Sequence, residues 1–261
     1  MRSKRGSVIG VFSAKGGVGK TTVVTNLGAA LAQEFKDRVL VFEANMAASN
    51  LGLHLGILDP PAVVQEVVFG GAKTEDAIVS FDYGLHLLAG SPAFDGESGM
   101  VDLCGIIEPL RSKYDAIILD SAPSFGPEVT SALKACDIVI IVCQPRVPAI
   151  AGTLQTLRAA DKLKIPVFSV VLDGVRNKRY EISTPEIKRT LGWQTIFEVP
   201  EDDSVLESIA RGLPVVIYKP NSPAAVGFRK LASAILQYIK ANHRVDACRK
   251  NVVEQVEGGE H

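Results

Sequence analysis

Closely spaced cysteines are missing from this chain. Its four thiols, Cys104, Cys136, Cys143 and Cys248, include no Cys-x-Cys or Cys-x-x-Cys pair. Adjacent thiolate ligands for a metal or an iron–sulfur cluster are therefore absent, and only a cluster shared across a dimer through distant cysteines would fit. Cys136 and Cys143 flank the apolar run Ile138 to Val142, which reads them as small core residues. A charge excess is missing too. The net charge is −1, so the chain as a whole is no polyelectrolyte seeking nucleic acid, and any basic surface must be local. No apolar run approaches the ~18 residues of a membrane span. Met1 to Arg5 leads straight into the first apolar run, which leaves no room for a signal peptide and sets the expected location as cytoplasmic.

What is present is enough for a sizeable core: 261 residues, 47% of them hydrophobic, fit one large α/β domain or two small ones. The stretch around which the chain is organised is Ser13-Ala14-Lys15-Gly16-Gly17-Val18-Gly19-Lys20-Thr21-Thr22. It follows the apolar run Ser7 to Phe12 and opens the alanine-rich periodic segment Val23 to Gln33. Strand, glycine loop and helix in that order make a phosphate cradle. Gly16, Gly17 and Gly19 let backbone N–H groups turn inward around an anion. Lys20 can reach the terminal phosphates and the Thr21 hydroxyl can hold Mg²⁺. The common P-loop asks for glycine five residues before Gly19; here that residue is Ala14, followed by a second lysine, Lys15.

Lys-Gly-Gly-Val-Gly-Lys-Thr-Thr, residues 15–22, resembles the deviant Walker A motif of the ParA/MinD family of P-loop ATPases. The resemblance runs over about residues 6–240, with archaeal MinD-like features such as Pro-Asn-Ser-Pro-Ala-Ala at 220–225. It implies ATP and Mg²⁺ as cofactors, binding by Lys15 through Thr22, and a nucleotide-dependent homodimer in which Lys15 crosses to the partner's phosphates. The cysteine spacing sets the chain apart from relatives that carry clusters, the nitrogenase iron protein and the Mrp type.

The second strand, Arg38 to Phe42, delivers Glu43-Ala44-Asn45 and a loop with Asn50, Leu51, Leu55 and Gly56. This resembles the family's Asp-x-Asp and switch loop, but Glu43 and Asn45 stand at the two acidic positions. The second family carboxylate polarises the attacking water. Asn45 can orient a water but cannot take its proton. Glu43 is the other candidate for that role, being one methylene longer than aspartate. Slow hydrolysis with intact nucleotide binding is the expectation.

Tyr114 to Pro123 reads as an apolar strand ending in Asp120, the Walker B arrangement, with Asp120 holding Mg²⁺ through water. Ser124 to Gly126 would then sense the γ-phosphate. Strands are also expected at 85–89, 137–143, 166–172 and 196–200, an extended segment at 214–218, and helices at 62–69, 101–113, 149–163, 203–211 and 223–240. His54 and His86 have no second ligand at useful spacing and read as surface or interface residues. The exit of the strand at 166–172 aligns with the family's adenine-reading turn. Asp173 stands where asparagine is usual, so Asn177 or backbone groups share that role, with Pro200 and Glu201 packing on the base. A carboxylate also suits the paired protons of guanine, though the resemblance keeps ATP as the nucleotide.

Arg176, Lys178, Arg179, Lys188 and Arg189 form a local basic cluster, diluted by Glu181 and Glu186, so a solvated face is favoured over non-specific DNA binding. The tail 241–261 is polar. Val245, Cys248, Val252, Val253 and Val256 recur at helical spacing, but without large apolar residues they support membrane binding only weakly. Alternating strands and helices give a doubly wound, mostly parallel sheet flanked by helices, of the P-loop NTPase type, as a single domain over 1–240. The functional expectation is a dimerising switch ATPase that positions a cellular cargo and answers to a protein activator. Two alternatives stay open: a nucleotide-gated scaffold that hardly hydrolyses, and a DNA-binding partition ATPase.

Overall fold

The computed structural model describes residues 5–93, 102–123 and 126–257. Its strands are β1 (Ser7–Phe12), β2 (Val39–Ala44), β3 (Ile78–Ser80), β4 (Leu85–Leu88), β5 (Ala116–Ser121), β6 (Ile138–Cys143), β7 (Val167–Val175) and β8 (Ile196–Pro200). They form one sheet in the order β3-β4-β2-β5-β1-β6-β7-β8. Every pairing is parallel except β3 with β4 at the edge. The parallel strands are nearly continuous Val, Ile and Leu because helices cover both faces.

Period-two alternation divides the strands between two cores. Ile9, Val11, Val39, Val41, Ala116, Ile118 and Val171 face one core. Val8, Phe12, Leu40, Phe42, Ile117, Leu119, Val170 and Leu172 face the other. The first core is roofed by α1 (Lys20–Phe35), α9 (Val215–Tyr218) and α10 (Pro223–Glu257). The second lies under α3 (Val64–Val68), α4 (Leu103–Leu110), α5 (Pro127–Ala135), α6 (Val147–Lys162) and α7 (Thr184–Leu191). Short α2 (Leu51–His54) follows β2, and α8 (Asp203–Ala210) follows β8.

Several elements differ from the sequence expectation. Residues 215–218 are three β-branched residues and a tyrosine, which reads as extended, yet they form α9. Tertiary contact overrides propensity here: the Asn26 amide oxygen accepts the Val216 N–H at 3.1 Å. The segment 101–113 shortens to α4, which contains Pro109, and β7 runs three residues beyond the expected 172. The last helix continues past 240 to Glu257. His86 is not a surface residue: it is half-buried in β4, with Nδ1 2.9 Å from the Tyr114 hydroxyl. His54 is half-buried as well, and burial lowers its pKa. Cys136 and Cys143 lie in the core, as their spacing predicted. Among the described residues, no helix is long and apolar enough to cross a membrane.

Candidate functional site

The alternation that builds the core also builds the site. In β5 the residues at 116 and 118 face α1, so Asp120 does too. In β2 the residues at 39 and 41 face α1, and Glu43 continues their series. Glu43 and Asp120 are register partners on adjacent strands, which sets two carboxylates side by side at the strands' C-terminal ends. Val171 gives β7 the same phase and turns Asp173 towards α1 as well.

Between β1 and α1 the chain forms the glycine loop. Gly17 and Gly19 take φ of 72° and 96°, the left-handed region that favours glycine. Among the described residues, no amide of 16–19 donates to a protein carbonyl. The first turn of α1 has no acidic residue and no side-chain cap at Gly19. Free amides, a bare helix start and flexible glycines together favour an anion. Ser13 Oγ donates to the Lys15 carbonyl at 2.7 Å, fixing the loop's mouth, while the Lys15 side chain is exposed. Val18 and Thr22 are buried beneath the loop and anchor it. The deviant Ala14 is accommodated because its neighbour on α6 is Gly152. A Cβ at Gly152 would sit 2.5 Å from that of Ala14.

Lys20 is buried at the head of α1. Burial lowers its pKa, and the Asp120 and Glu43 carboxylates partly restore it. Burial and the mutual repulsion of the carboxylates raise the pKa of Glu43. Burial also raises that of Asp120, against the pull of Thr21 and Lys20. Asp120 Oδ2 accepts the Thr21 hydroxyl at 2.6 Å. Its Oδ1 is buried without a hydrogen-bond partner among the described residues. An orphaned carboxylate oxygen beside a hydroxyl is a hard-cation donor set, so Thr21 and Asp120 fit Mg²⁺ with a share of its water shell.

Glu43 has no exposed surface, and three loop amides occupy its carboxylate. Asn45 N–H donates to Oε1 at 3.1 Å, and the N–H groups of Asn50 and Leu51 donate to Oε2 at 2.9 and 3.0 Å. The extra methylene of glutamate fits because Gly90 lies opposite. A Cβ there would approach Glu43 Cγ to 2.8 Å. Asn45 is buried, and its Nδ2 donates to the Ala48 carbonyl at 2.8 Å, leaving Oδ1 as an acceptor.

Asp173 packs against the glycine loop: its Oδ2 would be 2.0 Å from a Cβ at Gly19. Two turns lie further out. Asn177 is exposed at φ 55°. Glu201 donates its N–H to the Val175 carbonyl at 3.0 Å and pairs with Arg176 through its carboxylate. Pro200 ends β8 opposite Val175. The sequence-predicted residues thus fall into two groups flanking the loop: Asp120, Glu43 and Asn45 at the ends of β5 and β2, and Asp173, Asn177, Pro200 and Glu201 at the ends of β7 and β8. Ser124, the start of the expected γ-phosphate sensor, lies outside the described residues.

Burial pushes the Asp173 carboxyl up to about 7, and the Gly174 amide pulls it part of the way back. A carboxyl whose folded pKa exceeds its unfolded value stabilises the fold below the unfolded pKa, and that contribution is lost as pH rises through the folded one. Glu43 and Asp120 have the same sign. The ligand-free protein should therefore melt at lower temperature at pH 8 than at pH 5. Asp173→Asn should remove on the order of 1–3 kcal/mol of that loss. Thermal melts of both proteins across this window check it; parallel curves would contradict it.

Sequence reasoning missed the Glu43 clamp and the Ala14–Gly152 fit. Both depend on which glycine lies opposite, and nothing in the local sequence signals that.

Comparison with known proteins gives the same frame. The family model described as AAA domain matches residues 6–167. An uncharacterized ATP-binding protein of Methanocaldococcus jannaschii is 29% identical over 230 residues, 87% of each chain. The septum site-determining protein MinD of Thermotoga maritima is 29% identical over 240 residues, 88% of each chain. Among solved structures, the cell division ATPase MinD of Pyrococcus furiosus superposes with a TM-score of 0.83 at 29% identity. That match covers 89% of this chain and 99% of that one. The septum site-determining protein MinD of Pyrococcus horikoshii, complexed with Mg-ADP, gives 0.82 at 29% identity over 88% and 95%.

Proposed function

The chain belongs to the AAA domain family as a ParA/MinD-like P-loop ATPase, and from that premise we propose that it is a Mg·ATP-driven switch that dimerises face to face and resets by slow hydrolysis. ATP and Mg²⁺ are its cofactors, a reading supported by the Mg-ADP complex of the Pyrococcus horikoshii relative. Gly16 to Thr22 bind the phosphates, and Thr21 and Asp120 hold the metal. The observation that carries the reading is the constellation of buried Lys20, metal-fitting Thr21–Asp120 and uncapped glycine loop on one edge of the sheet.

Polarity along that edge supports one orientation for the nucleotide. Ligands of parallel sheets lie outside the strand C-termini. With the metal on the β5 side, the γ-phosphate points towards β5 and β2, and the base towards Asp173, Asn177, Pro200 and Glu201. Lys20 and the loop amides stabilise charge on the transferring phosphoryl group. Lys15, exposed at the loop's mouth, adds charge to the phosphates of a second copy, as an arginine finger does in trans. Asn45 orients the attacking water through Oδ1. Glu43, with both oxygens held by loop amides, shapes the switch loop instead of touching water.

Residues 1–240 make up the ATPase domain, and 241–261 are a polar C-terminal tail. The process served is spatial positioning of a cargo, through a protein partner yet to be identified, and the chain works in the cytoplasm. The basic cluster is only partly free for DNA, because Arg176 pairs with Glu201, and the Glu181 carboxylate, held by the backbone N–H groups of Arg176 and Lys178, adds negative charge beside them.

Phosphate release under single and multiple turnover tests this. A switch ATPase releases one phosphate per site in single turnover, slowly, and continues at a steady rate with excess ATP. Binding of ATP with no phosphate released would select the scaffold reading.

A further inference from the structure

We infer that Gln65 is a positioning residue for ATP hydrolysis: it fixes the loop that carries Asn45 through a chain of hydrogen bonds entering from outside the nucleotide site. Gln65 lies on α3 in no recognisable motif, and it is 1% exposed. Its Nε2 lies 3.1 Å from the Met46 carbonyl, 3.2 Å from Ser49 Oγ and 3.0 Å from the Ser91 carbonyl. Two amide hydrogens are thus shared among three acceptors. The fourth contact runs the other way, the Ser91 N–H donating to Oε1 at 3.1 Å. Ser49 passes the constraint on, its hydroxyl donating to the Asn45 carbonyl at 2.9 Å.

The loop of 45–50 is therefore held at two levels. Glu43 grips amides at its two ends, at Asn45 and at Asn50 with Leu51. Gln65 grips the middle, at Met46 and Ser49, and braces it on the loop that leaves β4 at Ser91. Asn45 carries no proton away, so its contribution depends on orientation. Orientation is the quantity that the Gln65–Ser49 chain fixes. A buried amide meeting only backbone would satisfy packing alone; this one also meets the Ser49 hydroxyl, which in turn holds the Asn45 carbonyl.

The inference rests on the role proposed for Asn45, and a double-mutant cycle keeps the two apart. Phosphate release and the dissociation constant for a fluorescent ATP analogue are measured for wild type, Gln65→Ala, Asn45→Ala and the double variant, well below their melting temperatures. Gln65→Ala should lower kcat about tenfold or more, as misplacement of a catalytic group does, with affinity changed less than about threefold. In the Asn45→Ala background the same substitution should change kcat less than about twofold, since residues of one hydrogen-bond network that act as a unit are non-additive. An equal fold-change in both backgrounds, or an unchanged kcat in the first, overturns the inference. If Asn45→Ala alone leaves kcat unchanged, the proposed role of Asn45 fails, and that result is visible by itself. Should Gln65→Ala not fold, Ser49→Ala cuts the same chain at one bond, and the same pattern decides.

Discussion

Lys20→Ala should reduce phosphate release by about 10³-fold or more, with ATP bound weakly at best. Three effects add. The substitution removes the ammonium proposed to meet the transferring phosphoryl group. It also leaves Glu43 and Asp120, two neighbouring buried carboxylates, without the cation that both feel. Bringing in a polyanion then sets like charges against each other beside two buried carboxylates. The fold should survive. Lys20 is itself penalised by burial, and its removal spares a desolvated charge even as it deprives the carboxylates. Melting temperature and phosphate release should therefore separate, with turnover lost and folding kept. A Lys20→Ala protein that turns over within tenfold of wild type would show that the chemistry happens elsewhere.

Asn45→Asp should act in the opposite direction and raise turnover, by up to about 10²-fold, because a positioned carboxylate can accept the proton that an amide cannot. Two costs oppose the gain. A carboxylate near the γ-phosphate adds repulsion, which Mg²⁺ offsets in part. The second cost follows from the loop itself. Asn45 Nδ2 donates to the Ala48 carbonyl, and aspartate would face that oxygen without a donor. The new side chain must turn from Ala48, so the loop loosens while the base is gained. A rise in phosphate-release rate with the dissociation constant moving less than about threefold is the expected net result. Glu43→Gln provides the control. It puts an amide N–H against a backbone N–H of the loop, so it should slow turnover by disturbing the loop. If Asn45→Asp leaves the rate unchanged while Glu43→Gln abolishes turnover, Glu43 and not Asn45 orients the water.

Much of this site was legible because it is local. The glycine loop, Lys20 and Thr21 lie within ten consecutive residues, and strand-ending Asp120 follows from an apolar run. What remained hidden depends on pairing across the sheet and on contacts between distant segments. Glu43 reads as a strand exit, yet β2 continues to Ala44 and places it in register with Asp120. Asp173 reads as a turn residue, but the extra length of β7 turns it onto Gly19. Gln65, on a five-residue helix after Pro60-Pro61, carries no sequence signal at all. The strand β3 was missed for a similar reason: two half-buried residues and an exposed one at a sheet edge have neither the length nor the alternation to stand out. Residues 215–218 misled in the other direction, their apolar β-branched run folding as a turn of helix because Asn26 and the first core receive it.

The central claim is that nucleotide, through Lys15, brings two copies of this chain together. Light scattering in Mg²⁺ with a slowly hydrolysed ATP analogue measures it most directly. The account predicts that the 27.9 kDa chain doubles its mass with the analogue, and that Lys15→Ala binds the analogue yet stays monomeric. A wild-type mass that does not change with nucleotide bound would contradict it.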